Sequence, residues 1–136
     1  MPDDRTGEYR LRRQHAGVGY FGQVRVRLTT AEEGRPPVTW VVDPDDRSSL
    51  QPGPDREFVD AALAGATDGL DLVTRCGADN AGVAVEVVHA QLDLTDIEVS
   101  AVRTAAALAV ADAFGVADRA QPVYRGGWTV DISPSP

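Results

Sequence analysis

The chain has no lysine. All thirteen of its basic residues are arginine, and 21 acidic residues bring the net charge to −8. Broad nonspecific nucleic-acid binding usually shows a basic excess, so the net charge of −8 argues against that function. One local basic surface is still compatible with the sequence, because five arginines fall in two adjacent segments: Arg10, Arg12, Arg13, Arg25 and Arg27.

Other features are scarce as well. The single cysteine, Cys76, excludes an internal disulfide and any multi-cysteine metal site. No apolar run reaches the roughly 20 residues of a membrane-spanning helix, and the acidic start differs from a signal peptide. We therefore expect a cytoplasmic protein with no membrane partner. A length of 136 residues favours one domain.

Hydrophobic periodicity predicts the order β-β-β-α-β-α-β. We expect a disordered tail over residues 1–7 and a single domain over 8–133, of the α+β class. The domain is predicted to have two layers, a mixed sheet of about five strands with two helices on one face. The predicted strands are 8–14, 24–28, 38–43, 82–90 and 128–132, and the predicted helices follow Asp55 and span 96–114.

Local signals place the helix ends. Asp55 stands at a predicted N-cap, and Thr95 with Glu98 forms a predicted capping box. Gly115 is predicted to be the C′ glycine of the second helix. Gly65 and Gly69 weaken the first helix unless they allow close packing on the sheet.

Three glycines, at positions 17, 19 and 22, stand between the first two predicted strands. Glycine is favoured where the backbone must adopt positive φ or turn sharply. The segment therefore predicts a glycine-built tip that joins two antiparallel strands.

Read with the segments downstream, this tip resembles that of domain IV of elongation factor G. The motif Phe58-Val59-Asp60 with Gly65 is similar to the family's first helix, and residues 83–113 match its strand–tip–helix segment without a gap. Pro122-Val123 and the final strand are similar to its end. The resemblance implies a fold like domain 2 of ribosomal protein S5, with a left-handed βαβ crossover. The loop before the first helix is closer to that of tetracycline ribosomal protection proteins.

Two departures limit what the resemblance implies about activity. The family carries a Gly-Ser-Tyr-His run in its second tip loop, where this chain has Ala90, Gln91, Leu92 and Asp93. Val18 stands where the first loop commonly has a basic residue. An acidic group near RNA repels phosphate, so translocation chemistry is not implied.

The two tip loops are the first candidate binding site. Close approach to RNA or a backbone phosphate cradle is one interpretation, and a tight structural hairpin is the other. The segment lacks the lysine and helix start of a nucleotide-binding loop, so no bound nucleotide is expected. The tip residues are Gly17, Val18, Gly19, Tyr20, Phe21, Gly22, Gln91, Leu92 and Asp93.

A second candidate site is a phosphate-contacting face. Its residues are Arg10, Arg12, Arg25 and Arg27. The alternative, which we favour, is an outer sheet face whose arginines pair with Glu8, Glu86 or Asp131 across strands.

Neither histidine predicts catalysis. His15 and His89 lack a second histidine or cysteine at metal-ligand spacing, and Asp93 is the nearby carboxylate that the sequence offers as a partner. We expect no catalytic residue, metal or cofactor.

The predicted function is a stand-alone, non-enzymatic homologue of domain IV that binds the ribosome, its RNA or its proteins. The alternative is a protein-interaction or homo-oligomeric module that reuses the fold; the oligomeric state stays open.

Overall fold

A computed structural model describes residues 5–132 and confirms the α+β class with two helices. A four-stranded mixed sheet has the order β1-β2-β4-β3, in which β3 and β4 are parallel and the other pairs antiparallel. The elements are β1 (Thr6–His15), β2 (Val18–Thr30), β3 (Val38–Trp40), α1 (Arg56–Arg75), β4 (Val83–Ala90), α2 (Val99–Ala113), a 3-10 turn (Ala117–Arg119), β5 (Ala120–Tyr124) and β6 (Trp128–Ile132).

Alternation along the strands gives the sheet one buried, apolar face. Residues of β1, β2 and β4 contribute to a single core that also includes both helices; among them are Leu11, Val24, Val26, Val85 and Val87. The other side of the same strands carries charged residues, as the predicted two-layer arrangement requires. The unit β3-α1-β4 connects parallel neighbours, and the hand of this crossover stays a prediction from the resemblance.

Small residues bring the two helices together. A Cβ atom added at Gly65 would overlap the backbone oxygen of Arg103, and one at Gly69 would lie 2.6 Å from the Cβ of Val110. The predicted close packing is therefore present, but its partner is α2 rather than the sheet. Most residues of α2 are buried, on nearly all sides of the helix, and most of the buried ones are alanine. The helix also packs on β1 and β2.

The second helix begins three residues later than the sequence predicts. Glu98, not Thr95, is its N-cap, and the Glu98 carboxylate accepts the amide protons of Ser100 and Ala101. The capping-box prediction is wrong because residues 96–98 are bound to β2 instead. At the other end Gly115 has a φ of 77°, and the Val116 N–H donates to Ala111 O at 2.9 Å, which confirms the C′ glycine.

Three further boundaries differ from the prediction. β1 begins at Thr6, so Thr6 and Gly7 belong to the sheet; residues 1–4 and residue 133 lie outside the described part of the chain. Asp55 occupies the N-cap position of α1. Its carboxylate accepts the N–H of Gln51 in the preceding loop, and makes no hydrogen bond to the first turn of the helix. The third strand ends at Trp40 rather than near Asp43.

The final strand does not join the main sheet. β6 pairs with β5 as a separate two-stranded sheet, so the main sheet has four strands where about five were predicted. β5 includes Pro122, opposite Val130 in the register. Between residues 5 and 132, neither helix is long and apolar enough to cross a membrane.

Candidate functional site: the distal end of the β1–β2 hairpin

The β1–β2 hairpin extends past the rest of the sheet. β4 pairs with β2 only as far as Val24, whereas β1 pairs with β2 as far as Val18. The two turn residues, Ala16 and Gly17, have φ angles of 52° and 82°, the positive pair typical of a type I′ turn. We call the part of the chain formed by residues 12–23, together with the segment 91–98 that packs on it, the hairpin end.

The glycines of the hairpin end have two different roles. Gly17 has the positive φ that the sequence predicts, but Gly19 and Gly22 lie within β2 and do not. A Cβ added at Gly22 would lie 2.5 Å from the backbone oxygen of Ala101, so Gly22 permits the approach of α2. A Cβ at Gly19 would lie 2.9 Å from the carboxylate of Asp96. The predicted glycine-built tip is therefore reduced to a two-residue turn.

The segment 91–98 is bound to the hairpin through backbone hydrogen bonds. The Phe21 N–H donates to Asp96 O at 2.8 Å, and the Glu98 N–H donates to Phe21 O at 3.3 Å. Gln91 N–H donates to Gln23 O at 2.9 Å. The structure thus brings the two predicted tip loops together. Phe21 itself is buried, with the guanidinium of Arg12 4.6 Å above its ring centre, so it is not an exposed tip residue.

Asp93 organises its own loop. Its carboxylate accepts the N–H groups of Thr95 and Asp96, both at 2.9 Å, and lies 3.2 Å from Arg12. The hydrogen bond from the Asp96 backbone, then that from Thr95 and the charge of Arg12, lower the pKa of this carboxyl. Asp93 therefore has a structural role, and it neutralises Arg12 at the same time.

An aromatic cluster supports the opposite side of the hairpin end. The His15 ring stacks on Tyr124 with 3.8 Å between ring centres, and the Tyr20 and Tyr124 hydroxyls share a 3.4 Å hydrogen bond. That bond raises the pKa of Tyr20. Trp128 packs edge-on against both tyrosines. The sequence does not predict this cluster, because it depends on the β5–β6 hairpin that was not predicted.

Ion pairs occupy most of the predicted phosphate-contacting face. Arg25 lies 3.6 Å from Glu8 and Arg27 lies 2.6 Å from Glu86, which confirms the cross-strand pairing expected for these two. Arg12 pairs with Asp93 instead. Within residues 5–132, Arg10 and Arg13 have no carboxylate partner, and both are exposed. The available cations near the hairpin end are therefore Arg10 and Arg13.

Two apolar side chains are exposed at the hairpin end. Leu94, in the 91–98 segment, is 90% exposed, and Val18, next to the turn, is 52% exposed. Val18 is among the predicted tip residues, whereas Leu94 was not predicted. The signal available in the sequence was an isolated leucine between Asp93 and Thr95 in a polar loop.

His89 has a carboxylate partner that is distant in sequence. Its Nδ1 lies 3.3 Å from Asp46 Oδ2, and its Nε2 lies 3.1 Å from Gln91 Oε1. Hydrogen bonds from Ser48 lower the pKa of Asp46. The Ser48 hydroxyl bonds to Asp46 rather than to the histidine, so the order needed to activate a serine is not present. These contacts hold the loop of residues 43–51 against β4.

A separate groove of about 730 Å³ lies between α1, α2 and β6. Its charged groups are engaged with one another: Arg103 makes two hydrogen bonds to Asp68, of 2.6 and 3.1 Å, and these raise the pKa of Arg103. The Ser100 hydroxyl donates to Glu98 and accepts the backbone N–H of Trp128. Neither histidine lines this groove.

Comparison with solved structures shows the fold alone. A crystal structure of a Thermus thermophilus protein of unspecified function is similar at a TM-score of 0.57 and 20% identity. The similarity covers 77% of this chain and 14% of that protein, so this chain spans far less than two thirds of the Thermus protein. The chain matches no protein-family model and no curated protein.

Proposed function

We propose that this chain is a non-enzymatic binding domain, similar to domain IV of elongation factor G. In this proposal its hairpin end contacts the ribosome in the cytoplasm without translocase activity. The observation that carries the proposal is the stacked pair of His15 and Tyr124 on the same face of β1 as Arg13, which has no carboxylate partner in the described chain. Accessible rings next to a free guanidinium are a common combination for contacting unpaired bases and phosphate in RNA.

The shape of the hairpin end supports the same proposal. The end projects beyond β4 and is supported on both sides, by the segment 91–98 and by the aromatic cluster. A rigid projection can enter a crevice in a large assembly at low entropic cost. The resemblance to domain IV supplies the ribosome as the expected assembly.

Cosedimentation with purified small ribosomal subunits tests the proposal. Wild-type protein should appear in the pellet at low salt. An R13E/H15A variant should pellet much less, because it loses one cation and one ring at the contact. Removing a phosphate contact should also reduce the slope of log affinity against log salt by about one.

Arg35→Glu is the matched control, since it makes the same charge change in the loop after β2, at the opposite end of the sheet. It should pellet like wild type. No enrichment of the wild-type protein at low salt would overturn the proposal, and so would equal binding by R13E/H15A.

A second candidate function is a protein-interaction module. The exposed Leu94 and Val18 favour it, together with the neutralisation of Arg12 by Asp93 and Asp96. Apolar side chains at the centre of a contact, with few free charges, are typical of protein interfaces. A Leu94→Ser variant discriminates: it should abolish binding to a protein partner and leave contacts made by Arg13 and His15 with RNA largely intact.

A further inference from the structure

The outer edge of β1 is an open sheet edge. β1 is the first strand in the order β1-β2-β4-β3, so it has one neighbour in the sheet. In an antiparallel pair, alternate residues direct their N–H and C=O groups away from the neighbour. The Glu8 N–H donates to Asp112 Oδ2 at 3.0 Å, which identifies Glu8 as an outward residue. Since the direction alternates along the strand, the backbone N–H and C=O groups of Arg10, Arg12 and Gln14 also point outward.

The pairing of β1 with β2 independently supports this assignment of outward-facing residues. The Leu28 N–H donates to Arg5 O at 2.8 Å, so Arg5 and every second residue after it face β2. Asp112 of α2 covers the edge only at Glu8. From Arg10 to Gln14, no residue of the described chain accepts or donates a hydrogen bond at the outward backbone groups.

Of the features that usually prevent another strand from adding, the edge has only charge. Protected edges are commonly short, interrupted by proline, bent by a bulge, or charged. β1 has ten residues without proline, and its pairing with β2 is continuous from Thr6↔Arg27 to His15↔Val18. The open stretch therefore offers five consecutive residues for pairing without a proline or a bulge.

The charges of the edge select what can pair with it. Arg10 and Arg13 are exposed without a carboxylate partner among residues 5–132, and alternation places them on opposite faces of β1. A second copy is disfavoured: antiparallel pairing of two β1 strands about Leu11 would set Arg10 opposite Arg12 twice. Like charges directly opposite one another destabilise a strand pair. An acidic segment removes that repulsion and pairs with the free arginines.

We propose that the β1 edge from Arg10 to Gln14 binds an extended acidic peptide segment as an additional strand of the sheet. Main-chain hydrogen bonds supply the affinity in this mode, and the arginines supply the preference for acidic residues. The inference goes beyond ribosome binding and does not require it.

Amide hydrogen exchange measured by NMR on the wild-type chain tests the proposal directly. The probe is a blocked heptapeptide of alternating glutamate and valine, and its control replaces every glutamate by lysine. Near saturation with the acidic peptide, exchange at Arg10, Arg12 and Gln14 should slow about tenfold. Tyr9 and Leu11, whose amides face β2, should change little, and the lysine peptide should protect none of them.

Two variants separate the backbone from the charge. Gln14→Pro removes one outward N–H, keeps every arginine and leaves the bonds to β2, and should weaken peptide binding about tenfold. Arg10→Glu should weaken it by a similar factor, about tenfold, through charge. Arg35→Glu should bind the peptide like wild type. Unchanged affinity in Gln14→Pro, with its native spectrum retained, would overturn pairing at the edge.

Other occupants appear as distinct outcomes. Protection of the same amides by a single-stranded uridine oligonucleotide, without protection by the acidic peptide, would overturn the proposal in favour of RNA. Concentration-dependent dimerisation that protects these amides would overturn it in favour of a second copy. A protein that pellets with ribosomal subunits yet fails to bind the peptide refutes this inference alone. The reverse result refutes only the proposed ribosome contact.

Discussion

The helix layer and the hairpin end are stabilised in opposite ways. In the helix layer, Gly65 and Gly69 of α1 lie against α2 with no room for a methyl group. At the hairpin end, only Gly22 lies this close to the backbone of α2, and the side-chain contacts farther out are made by long or rotatable groups, such as Arg12 on Phe21 and Asp96 beside Gly19. Close-packed backbones cannot yield without separating whole elements, whereas an exposed side chain can rotate. We therefore expect stability to depend on the helix layer and binding on the hairpin end.

The largest effect should come from Gly65→Ala. The added methyl group would overlap the backbone oxygen of Arg103 and lie 2.8 Å from the Cβ of Ala106, so α1 and α2 must separate. Overpacking of this kind typically costs about 1–3 kcal/mol or more, and the better helix propensity of alanine offsets about 1 kcal/mol. We expect a net loss of about 2 kcal/mol in the free energy of unfolding, measured with denaturant.

Gly53→Ala is the control for that substitution. A Cβ at Gly53 would meet open space, so its unfolding free energy should change by no more than about 0.5 kcal/mol. If Gly65→Ala were as stable as Gly53→Ala, the two helices would not be in the contact described.

Two glycines three residues apart in β2 sharpen the comparison within one strand. Gly22→Ala must displace the backbone of α2 at Ala101, and we expect a loss of about 1.5 kcal/mol. Gly19→Ala meets only the carboxylate of Asp96, which can rotate away, so its loss should stay below about 0.5 kcal/mol. Chemical denaturation of both variants measures the difference. Equal losses would show that the Asp96 carboxylate beside Gly19 is held as firmly as the backbone of α2 beside Gly22.

This pair of glycines also marks the limit of what the sequence predicts. Periodicity located both helices, β4 and the hairpin, because the spacing of apolar residues along a short segment is enough to identify a helix or a strand. The sequence cannot distinguish a glycine that needs positive φ, such as Gly17, from one that admits a neighbouring helix, such as Gly22. That distinction depends on which helix or loop packs against the glycine in the folded protein. A glycine near the end of a predicted strand looks the same in the sequence in both cases.

Tertiary contacts overrode two other local signals. Thr95 and Glu98 have capping-box spacing, yet pairing of residues 96–98 with Phe21 moved the helix start to Val99. The sequence offers Asp93 as a nearby carboxylate for His89, whereas the loop after β3 supplies its actual partner, Asp46. In both cases a long-range contact decides the outcome, and local spacing carries no information about it.

Asp93 tests how much a side-chain contact at the hairpin end contributes. Asp93→Ala loses the acceptor for the Thr95 and Asp96 amides and should cost about 1 kcal/mol. Asp93→Asn keeps an acceptor oxygen and loses the charge attraction to Arg12, so it should cost less. Thermal or chemical unfolding of the two variants beside wild type measures both effects.

The pH dependence has a defined sign. Because the folded state lowers the pKa of Asp93, its carboxylate stabilises the fold fully above the unfolded pKa, about pH 4. That stabilisation is lost as the pH falls through the lower, folded pKa. The stability difference between wild type and Asp93→Asn should therefore shrink across that acidic range. A difference that grows on acidification would contradict the assignment.

The smallest expected effect is a gain, at the turn of the hairpin. Ala16 has a φ of 52°, a left-handed conformation that costs most residues about 1–2 kcal/mol and that asparagine tolerates better. Asn-Gly is the favoured pair for a type I′ turn, so Ala16→Asn should stabilise the protein by about 0.5 kcal/mol. Ala31→Asn, at the opposite end of β2 where φ is not positive, should give no gain.

Because the turn is stabilised by its own backbone conformation and not by packing, the gain from Ala16→Asn should persist in the Gly65→Ala background. Additivity in that double variant, measured by denaturant unfolding, would show that the two regions are energetically independent; a gain that disappeared there would show that they are coupled.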